Sequence, residues 1–145
     1  MTAEVLPDRS TRFGRRVHER LRDERVLWIV TVGADGTPQP NPVWFVWDGD
    51  SVLAYNDNQA YRLAHVRNRP QVSLHFNSTR AGDDVIVLKG RAEIPDGLPG
   101  PHENPAYVEK YGDGMVQISG SLEAFGKTYS VPTRVRITKV RGFLF

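Results

Sequence analysis

The fold is decided by residues 26–56, VLWIVTVGADGTPQPNPVWFVWDGDSVLAYN, in which apolar and polar side chains alternate around two Asp-Gly turns. The runs VLWIVTV, PVWFVWD and SVLAYN show the period-two pattern of half-buried strands. Asp35-Gly36 and Asp48-Gly49 are typical of tight hairpin connections. Such short turns between consecutive strands predict an antiparallel meander.

Three further strand-like runs follow along the chain, QVSLHFN, VIVLKGRAEI and VPTRVRITKVRGFLF. Gly90 lies inside the second run, where a glycine predicts a β-bulge or a bend of a barrel. In the last run Val135 and Ile137 alternate with arginines. We therefore predict a mainly β protein: a six-stranded antiparallel barrel, closed or split, with short peripheral helices, in which residues 1–145 form a single domain.

Helical patterns flank these strands. Residues 10–24 begin with a Ser/Thr cap and carry one apolar stripe on a charged background, which predicts an amphipathic helix. Residues 106–111, AYVEKY, predict a short helix that follows an Asn-Pro start and ends at Gly112. Residues 121–127, SLEAFGK, predict a second short helix.

The composition excludes several classes of function. A net charge of +2 and the lack of a recognisable motif argue against a dedicated nucleic-acid binder. The chain has no cysteine, which excludes thiol catalysis, cysteine-based zinc sites and disulfides. No run resembles a signal peptide or approaches the roughly 20 apolar residues of a membrane span. We expect a soluble, cytoplasmic protein.

The segment NQAYRLAHVRNRP, which starts at Asn58, is a short helical pattern rich in cations between two strands. On a 3.6-residue period Arg62, His65 and Arg69 share one face. We interpret these three residues, the basic ridge, as a binding site for a phosphate. Asp57 or Asn58 is predicted to cap the helix, whose free N–H groups would add to the anion site. The alternative interpretation is a solvated surface helix with scattered arginines.

Catalytic constellations are missing from the sequence. The four histidines, His18, His65, His75 and His102, are isolated, so no metal site is predicted. There is no nucleophile elbow and no phosphate-binding glycine loop. We assign no catalytic residue, and this absence is typical of a protein that binds a cofactor to do the chemistry. Trp44 is interpreted first as core and second as a residue that stacks on a ring system.

Along the chain come a strand, an Asp-Gly turn, the segment QPNPVWF, a second strand, the pair YN and a cationic helix ending in VRNRPQVSLHF. This order resembles that of the split-barrel flavin and deazaflavin reductases, whose fold is that of pyridoxamine 5'-phosphate oxidase. Within that superfamily the chain is most similar to actinobacterial members that use the deazaflavin coenzyme F420. The resemblance spans residues 15–143 and is strongest over residues 26–76. It implies a split barrel with a cofactor phosphate site.

The resemblance also implies a set of cofactor-binding residues. Arg62 matches the cation that contacts the cofactor phosphate in relatives, and Arg67 or Arg69 is expected to replace in part a second cation that relatives often carry. The strand beside the cofactor ring and the turn entering the helix supply the remaining matches: Pro40, Asn41, Pro42, Val43, Trp44, Phe45, Tyr55, Asn56, Gln59, Ala60 and Tyr61.

The function that the resemblance implies is an F420-dependent oxidoreductase that transfers hydride between the deazaflavin and a small conjugated organic substrate. Two alternatives stay open, an FMN-dependent oxidoreductase and a non-catalytic flavin or deazaflavin carrier. Family members place the cofactor cleft between two subunits, which implies a homodimer. The apolar C-terminal end, Phe143 to Phe145, is expected to be buried in that dimer.

Overall fold

The computed structural model describes residues 5–145. Over these residues the chain forms a curled antiparallel sheet flanked by short helices. The helices are α1 (Arg12–Asp23), α2 (Tyr61–Asn68), α3 (Pro105–Ser119) and α4 (Leu122–Thr128), with a short 3-10 helix at Pro101–Glu103. The strands are β1 (Leu27–Val32), β2 (Pro38–Val43), β3 (Val46–Trp47), β4 (Ser51–Asn56), β5 (Gln71–His75), β6 (Val85–Glu93) and β7 (Val131–Phe143).

The sheet has seven strands in the order β2-β1-β5-β6-β7-β4-β3, and every pairing is antiparallel. The mainly β split-barrel prediction is confirmed, with one more strand than the six expected. The extra strand arises because residues 42–48 are not continuous: β2 pairs with β1 at one edge of the sheet, whereas β3 pairs with β4 at the other edge. Trp44 and Phe45 carry the chain from one edge to the other.

Helix α3 satisfies the backbone groups of Phe45 in this crossing. The Phe45 N–H donates to the Tyr111 hydroxyl at 2.9 Å, and that hydroxyl donates to the carbonyl of Arg25 at 2.6 Å. The Lys110 ammonium donates to the carbonyl of Phe45 at 2.9 Å. Buried backbone polar groups need such partners, so α3 stabilises the split of the barrel.

The protein has two apolar cores. The larger core lies inside the curl of the sheet and is closed by α1, whose Val17 and Leu21 are fully buried. The smaller core lies between the outer face of β3–β4 and the helices α3 and α4. Its buried members are Val46, Leu53, Tyr55, Tyr107, Tyr111, Met115 and Phe125. The second core fixes α3 and α4 beside the crossing at Trp44.

The β-bulge predicted at Gly90 is confirmed, because the register between β6 and β7 shifts between Lys89 and Gly90. A side chain at this position would meet the Val135 side chain and the carbonyl of Arg136. Glycine is therefore required by the close approach of β7.

The predicted end of α3 at Gly112 is wrong, since the helix continues to Ser119 and ends at Gly120, whose φ is +89°. The apolar stripe of Tyr107, Tyr111 and Met115 extends past Gly112 and is fully buried, and this packing outweighs the low helix propensity of glycine. The predictions of α1, with Thr11 as its cap, and of α4 are confirmed.

Helix α2 is shorter than predicted and lacks the predicted cap. Its N-cap is Ala60, whose side chain makes no capping hydrogen bond. Asp57 accepts instead from the N–H of Gln59 at 2.8 Å and forms an Asx turn before the helix. The cap predicted at Asp57 or Asn58 is therefore wrong.

Candidate functional site

A pocket of about 240 Å³ opens where the barrel is split, beside the end of β2. Strand β4 and helices α2, α3 and α4 complete its walls. The lining residues are Pro42, Val43, Trp44, Tyr55, Arg62, Tyr107, Ile118, Phe125 and Tyr129. The pocket is thus mainly aromatic and aliphatic, with one permanently charged side chain.

The aromatic wall is built on Trp44. Its indole stacks against Tyr111 with ring centroids 4.7 Å apart and planes within 3°, and against Phe125 at 5.7 Å and 12°. Phe125 in turn stacks on Tyr129 at 4.4 Å. Stacked rings held in this way offer a flat, rigid surface to a planar ligand. Trp44 is therefore half-buried in the wall of the pocket rather than inside the main core.

Arg62 supplies the charge of the pocket. Its Nε donates to the Asn56 side-chain oxygen at 2.5 Å, and among the described residues its side chain has no other hydrogen-bond partner and no paired carboxylate. Burial lowers the pKa of the Arg62 guanidinium, because desolvation disfavours its charged form. Arginine nonetheless stays protonated. A half-buried cation without a counter-charge is a site for an anion.

The other two residues of the predicted basic ridge, His65 and Arg69, do not line the pocket. His65 Nδ1 lies 2.9 Å from the Thr31 hydroxyl, and Arg69 Nε donates to the carbonyl of Val32 at 2.7 Å. Both side chains are used to hold α2 against β1. Arg67 is exposed and does not line the pocket.

Among the described residues, the pocket wall contains no carboxylate, histidine or lysine. Its hydroxyl groups belong to tyrosines. Burial raises the pKa of Tyr107 and, less strongly, that of Tyr55. The Tyr55 hydroxyl donates to the carbonyl of Pro99 at 3.0 Å. The pocket therefore offers binding surface and one fixed charge, but no side chain tuned for proton transfer near neutral pH.

The structure brings together five of the residues that the sequence singled out: Pro42, Val43, Trp44, Tyr55 and Arg62 line the pocket. Asn56 lies behind Arg62 with no exposed surface. The other predicted cofactor-binding residues lie outside the pocket wall: Pro40, Asn41, Phe45, Gln59, Ala60, Tyr61, Arg67 and Arg69.

Four wall residues were missed by the sequence analysis, because α3 and α4 were interpreted only as peripheral helices: Tyr107, Ile118, Phe125 and Tyr129. A signal for them exists in the four-residue spacing between Phe125 and Tyr129 and between Tyr107 and Tyr111. That spacing places aromatic side chains on one helix face.

Residues 5–145 contain no group of three side chains suited to hold a metal ion. None of the helices in this range is both long and apolar enough to span a membrane.

Residues 13–139 match the family model of pyridoxamine 5'-phosphate oxidase, which covers most of the chain and the whole sheet up to the middle of β7. The chain belongs to this family. As a member of the pyridoxamine 5'-phosphate oxidase family, it has the split barrel that the sequence resemblance implied. No curated protein matches the chain.

Solved structures with the same fold are named for different ligands. An F420 reductase is 21% identical, with a TM-score of 0.64 over 86% of this chain and 94% of its own. The heme storage protein HutZ from Vibrio cholerae is 12% identical, with a TM-score of 0.63 over 91% and 95%. A FAD-binding protein from Mesorhizobium loti is 17% identical, with a TM-score of 0.62 over 87% and 88%. At these identities the similarity establishes the fold of the chain.

Proposed function

We propose that the protein is an F420-dependent oxidoreductase that transfers hydride between the deazaflavin and a small conjugated organic substrate. The observation that carries the proposal is a half-buried cation, Arg62, which has no carboxylate partner among the described residues and lies beside a wall of stacked aromatic rings. A phosphorylated planar cofactor needs both features. Membership of the family and the similarity to an F420 reductase support this choice.

The residues present fit such a cofactor. Arg62 would hold the phosphate through its free Nη groups, and charge-assisted contacts of this type contribute about 1.5–3 kcal/mol. Trp44 and Phe125 would border the ring system. The bound deazaflavin supplies the hydride chemistry, which requires positioning from the protein more than a side-chain acid or base.

Two alternatives use the same pocket. FMN also carries a phosphate, and Arg62 would serve either cofactor. The second alternative is a carrier that binds a flavin or deazaflavin without turnover. It is favoured by the lack of a proton-transfer group among the described wall residues. Turnover of the reduced cofactor with a generic acceptor such as a quinone separates the carrier from the enzymes.

We further propose a homodimer with a shared cofactor cleft, acting in the cytoplasm. The pocket of one chain, about 240 Å³, is small for a three-ring cofactor, since ligand pockets usually hold about 300–1,000 Å³. Phe143 and Phe145 remain 45% and 79% exposed, and their tilted rings have centroids 5.2 Å apart. An apolar surface of this kind, close to a sheet edge, suits contact with a second copy.

The cofactor assignment is tested by fluorescence-quenching titrations with coenzyme F420 and FMN side by side. We expect tighter binding of F420, and equal or tighter binding of FMN would overturn the assignment. Arg62→Ala is expected to weaken binding of the preferred cofactor by about 10- to 150-fold, the equivalent of about 1.5–3 kcal/mol. Arg67→Ala is the matched control, because Arg67 lies on the same helix but outside the pocket.

The dimer is tested by light scattering at micromolar concentration before and after deletion of residues 142–145. We expect the deletion to abolish both the dimer and cofactor binding. A truncated monomer that binds the cofactor with full affinity would contradict the shared cleft. The tail also makes contacts within its own chain, from Phe145 N–H to Asp83 and from Arg12 to the carbonyl of Phe145, so circular dichroism must first establish that the truncated protein is folded.

A further inference from the structure

Asn56 is a fully buried polar residue at the end of β4, directly behind the pocket. Its side-chain nitrogen donates to the carbonyl of Val131 at 2.9 Å and to the Thr133 hydroxyl at 3.2 Å, both on β7. Its side-chain oxygen accepts from Arg62 Nε at 2.5 Å. Every polar atom of the amide is thus used, and none is left for a ligand.

The chemistry of these partners allows one orientation of the amide. A backbone carbonyl accepts hydrogen bonds, so the side of Asn56 that faces Val131 must carry the NH₂ group. A guanidinium only donates, so the side that faces Arg62 must carry the oxygen. Strand β7 therefore holds the oxygen of Asn56 in place for Arg62.

The contact uses Nε and leaves both Nη groups of Arg62 without a protein partner among the described residues. Arginine binds phosphate or carboxylate best through two parallel N–H groups. Anchoring at Nε restricts rotation of the guanidinium plane while the outer nitrogens stay available to an anion in the pocket.

The partner is also neutral, which distinguishes Arg62 from Arg16 and Arg20. Arg16 and Arg20 lie 2.6 Å and 3.4 Å from the carboxylate of Asp84. Those charges are compensated within the protein. An aspartate at position 56 would have almost the same shape as asparagine and would compensate Arg62 in the same way, yet the chain has an amide there.

We propose that Asn56 is a positioning residue that sets both the direction and the net charge of an oxyanion site at Arg62, and that this site takes a phosphate ester. Asn56 holds the guanidinium at Nε and, because it is an amide, leaves the full positive charge for the ligand. The proposal rests on the proposed function in that the phosphate belongs to the bound cofactor.

The test compares cofactors with and without their phosphate: FMN against riboflavin, and coenzyme F420 against the same deazaflavin lacking the phosphate. In the FMN pair the ratio of the two dissociation constants isolates the phosphate contribution. In the F420 pair the ratio also includes the oligoglutamate tail, which is attached through the phosphate. For Asn56→Asp we expect this ratio to fall at least tenfold toward that of Arg62→Ala, while affinity for the phosphate-free compound changes less than about twofold. A merely structural role would weaken both members of each pair equally. Retention of the wild-type ratio would overturn the proposal.

Asn56→Ser keeps the site neutral and shortens the side chain. This variant provides the test if Asn56→Asp does not fold. We expect it to lower the ratio less than Asn56→Asp, since the charge of Arg62 remains but its anchor is lost. The same variants expose the opposite result: if Asn56→Ser abolishes the phosphate contribution and Asn56→Asp preserves it, the charge argument is wrong.

A ligand-free measurement separates this inference from the proposed function. In ¹⁵N NMR of the apo protein, the Arg62 Nε–H is expected to be protected from solvent exchange and to lose that protection in Asn56→Ser. Titration with inorganic pyrophosphate should shift this resonance in the wild type and not in Asn56→Asp. If neither cofactor binds but these shifts occur, the cofactor assignment fails and the positioning role stands. An unprotected Nε–H in the wild type would refute the positioning role.

Discussion

Replacement of Lys110 by methionine should change how the stability of the protein depends on pH. The Lys110 ammonium is half-buried, donates to the carbonyl of Phe45 at 2.9 Å and lies 4.0 Å above the Phe45 ring. Burial, followed by the nearby charge of Arg25, lowers the pKa of Lys110 from 10.5 to about 8. The folded protein therefore releases this proton at a lower pH than the unfolded chain.

Between pH 8 and 10.5 the unfolded chain binds more protons at this lysine than the folded protein, so the free energy of unfolding rises with pH over that interval. The full difference in pKa corresponds to about 3 kcal/mol at 1.36 kcal/mol per pKa unit. Lys110 is half in contact with water, and solvent screening reduces the expected contribution to about 1–2 kcal/mol. Burial raises the pKa of Tyr111 to about 12, which lowers stability above pH 10, so the useful window ends there.

The assay is urea unfolding of the wild type and Lys110→Met at intervals from pH 7 to 10. We expect the stability difference between the two proteins to shift by about 1–2 kcal/mol toward the wild type as the pH rises. The lost hydrogen bond and ring contact add a constant offset that cancels in the slope. Lys127→Met, which removes an exposed lysine from α4, is the control. A difference that does not vary with pH would refute the reasoning.

Three further predictions concern glycines. In α3, Gly112→Ala should raise the free energy of unfolding by about 0.5–1 kcal/mol, because helix propensity improves and the nearest atom to the new Cβ lies 3.5 Å away. Gly114→Ala should stabilise the protein little and disturb the pocket, because its Cβ would lie 2.9 Å from Trp44 Cη2. Urea midpoints and flavin titrations measure the two effects, and equal stabilisation by both would contradict the steric argument. Gly90→Ala should cost about 1–3 kcal/mol, since its methyl group would overlap Val135, and an unchanged midpoint would show that β7 adjusts freely.

The strand predictions succeeded where alternation along the chain was the whole signal. Strands β1, β5 and β6 each alternate between buried and more exposed residues, and the bulge at Gly90 follows from a glycine within such a pattern. Residues 42–48 have the same pattern but form two strands, because the two halves pair with different edges of the sheet. Local periodicity contains no information about which partner a strand selects.

The helix ends were likewise predicted where the signal is local and missed where it depends on distant residues. A Ser/Thr cap at the start of α1 was predicted because such a hydroxyl acts on its own first turn, and in the structure the cap is Thr11. The continuation of α3 beyond Gly112 was not predicted, since it depends on a second core that β3 and β4 complete from elsewhere in the chain. Burial of Met115 in that core outweighs the glycine signal.

The sequence by itself determined the antiparallel β architecture, the exclusion of cysteine chemistry and, through family resemblance, five residues of the pocket wall, because each of these depends on residue type and on near neighbours in the chain. Which cation would be available to an anion was decided only by the tertiary structure. Arg62 and Arg69 share a predicted helix face and each donates Nε to a neutral oxygen, but Arg69 is held at Val32 on β1 outside the pocket, while Arg62 is held at Asn56 on β4 in the pocket wall. The difference arises from what distant strands place opposite each guanidinium, and no spacing within the helix encodes it.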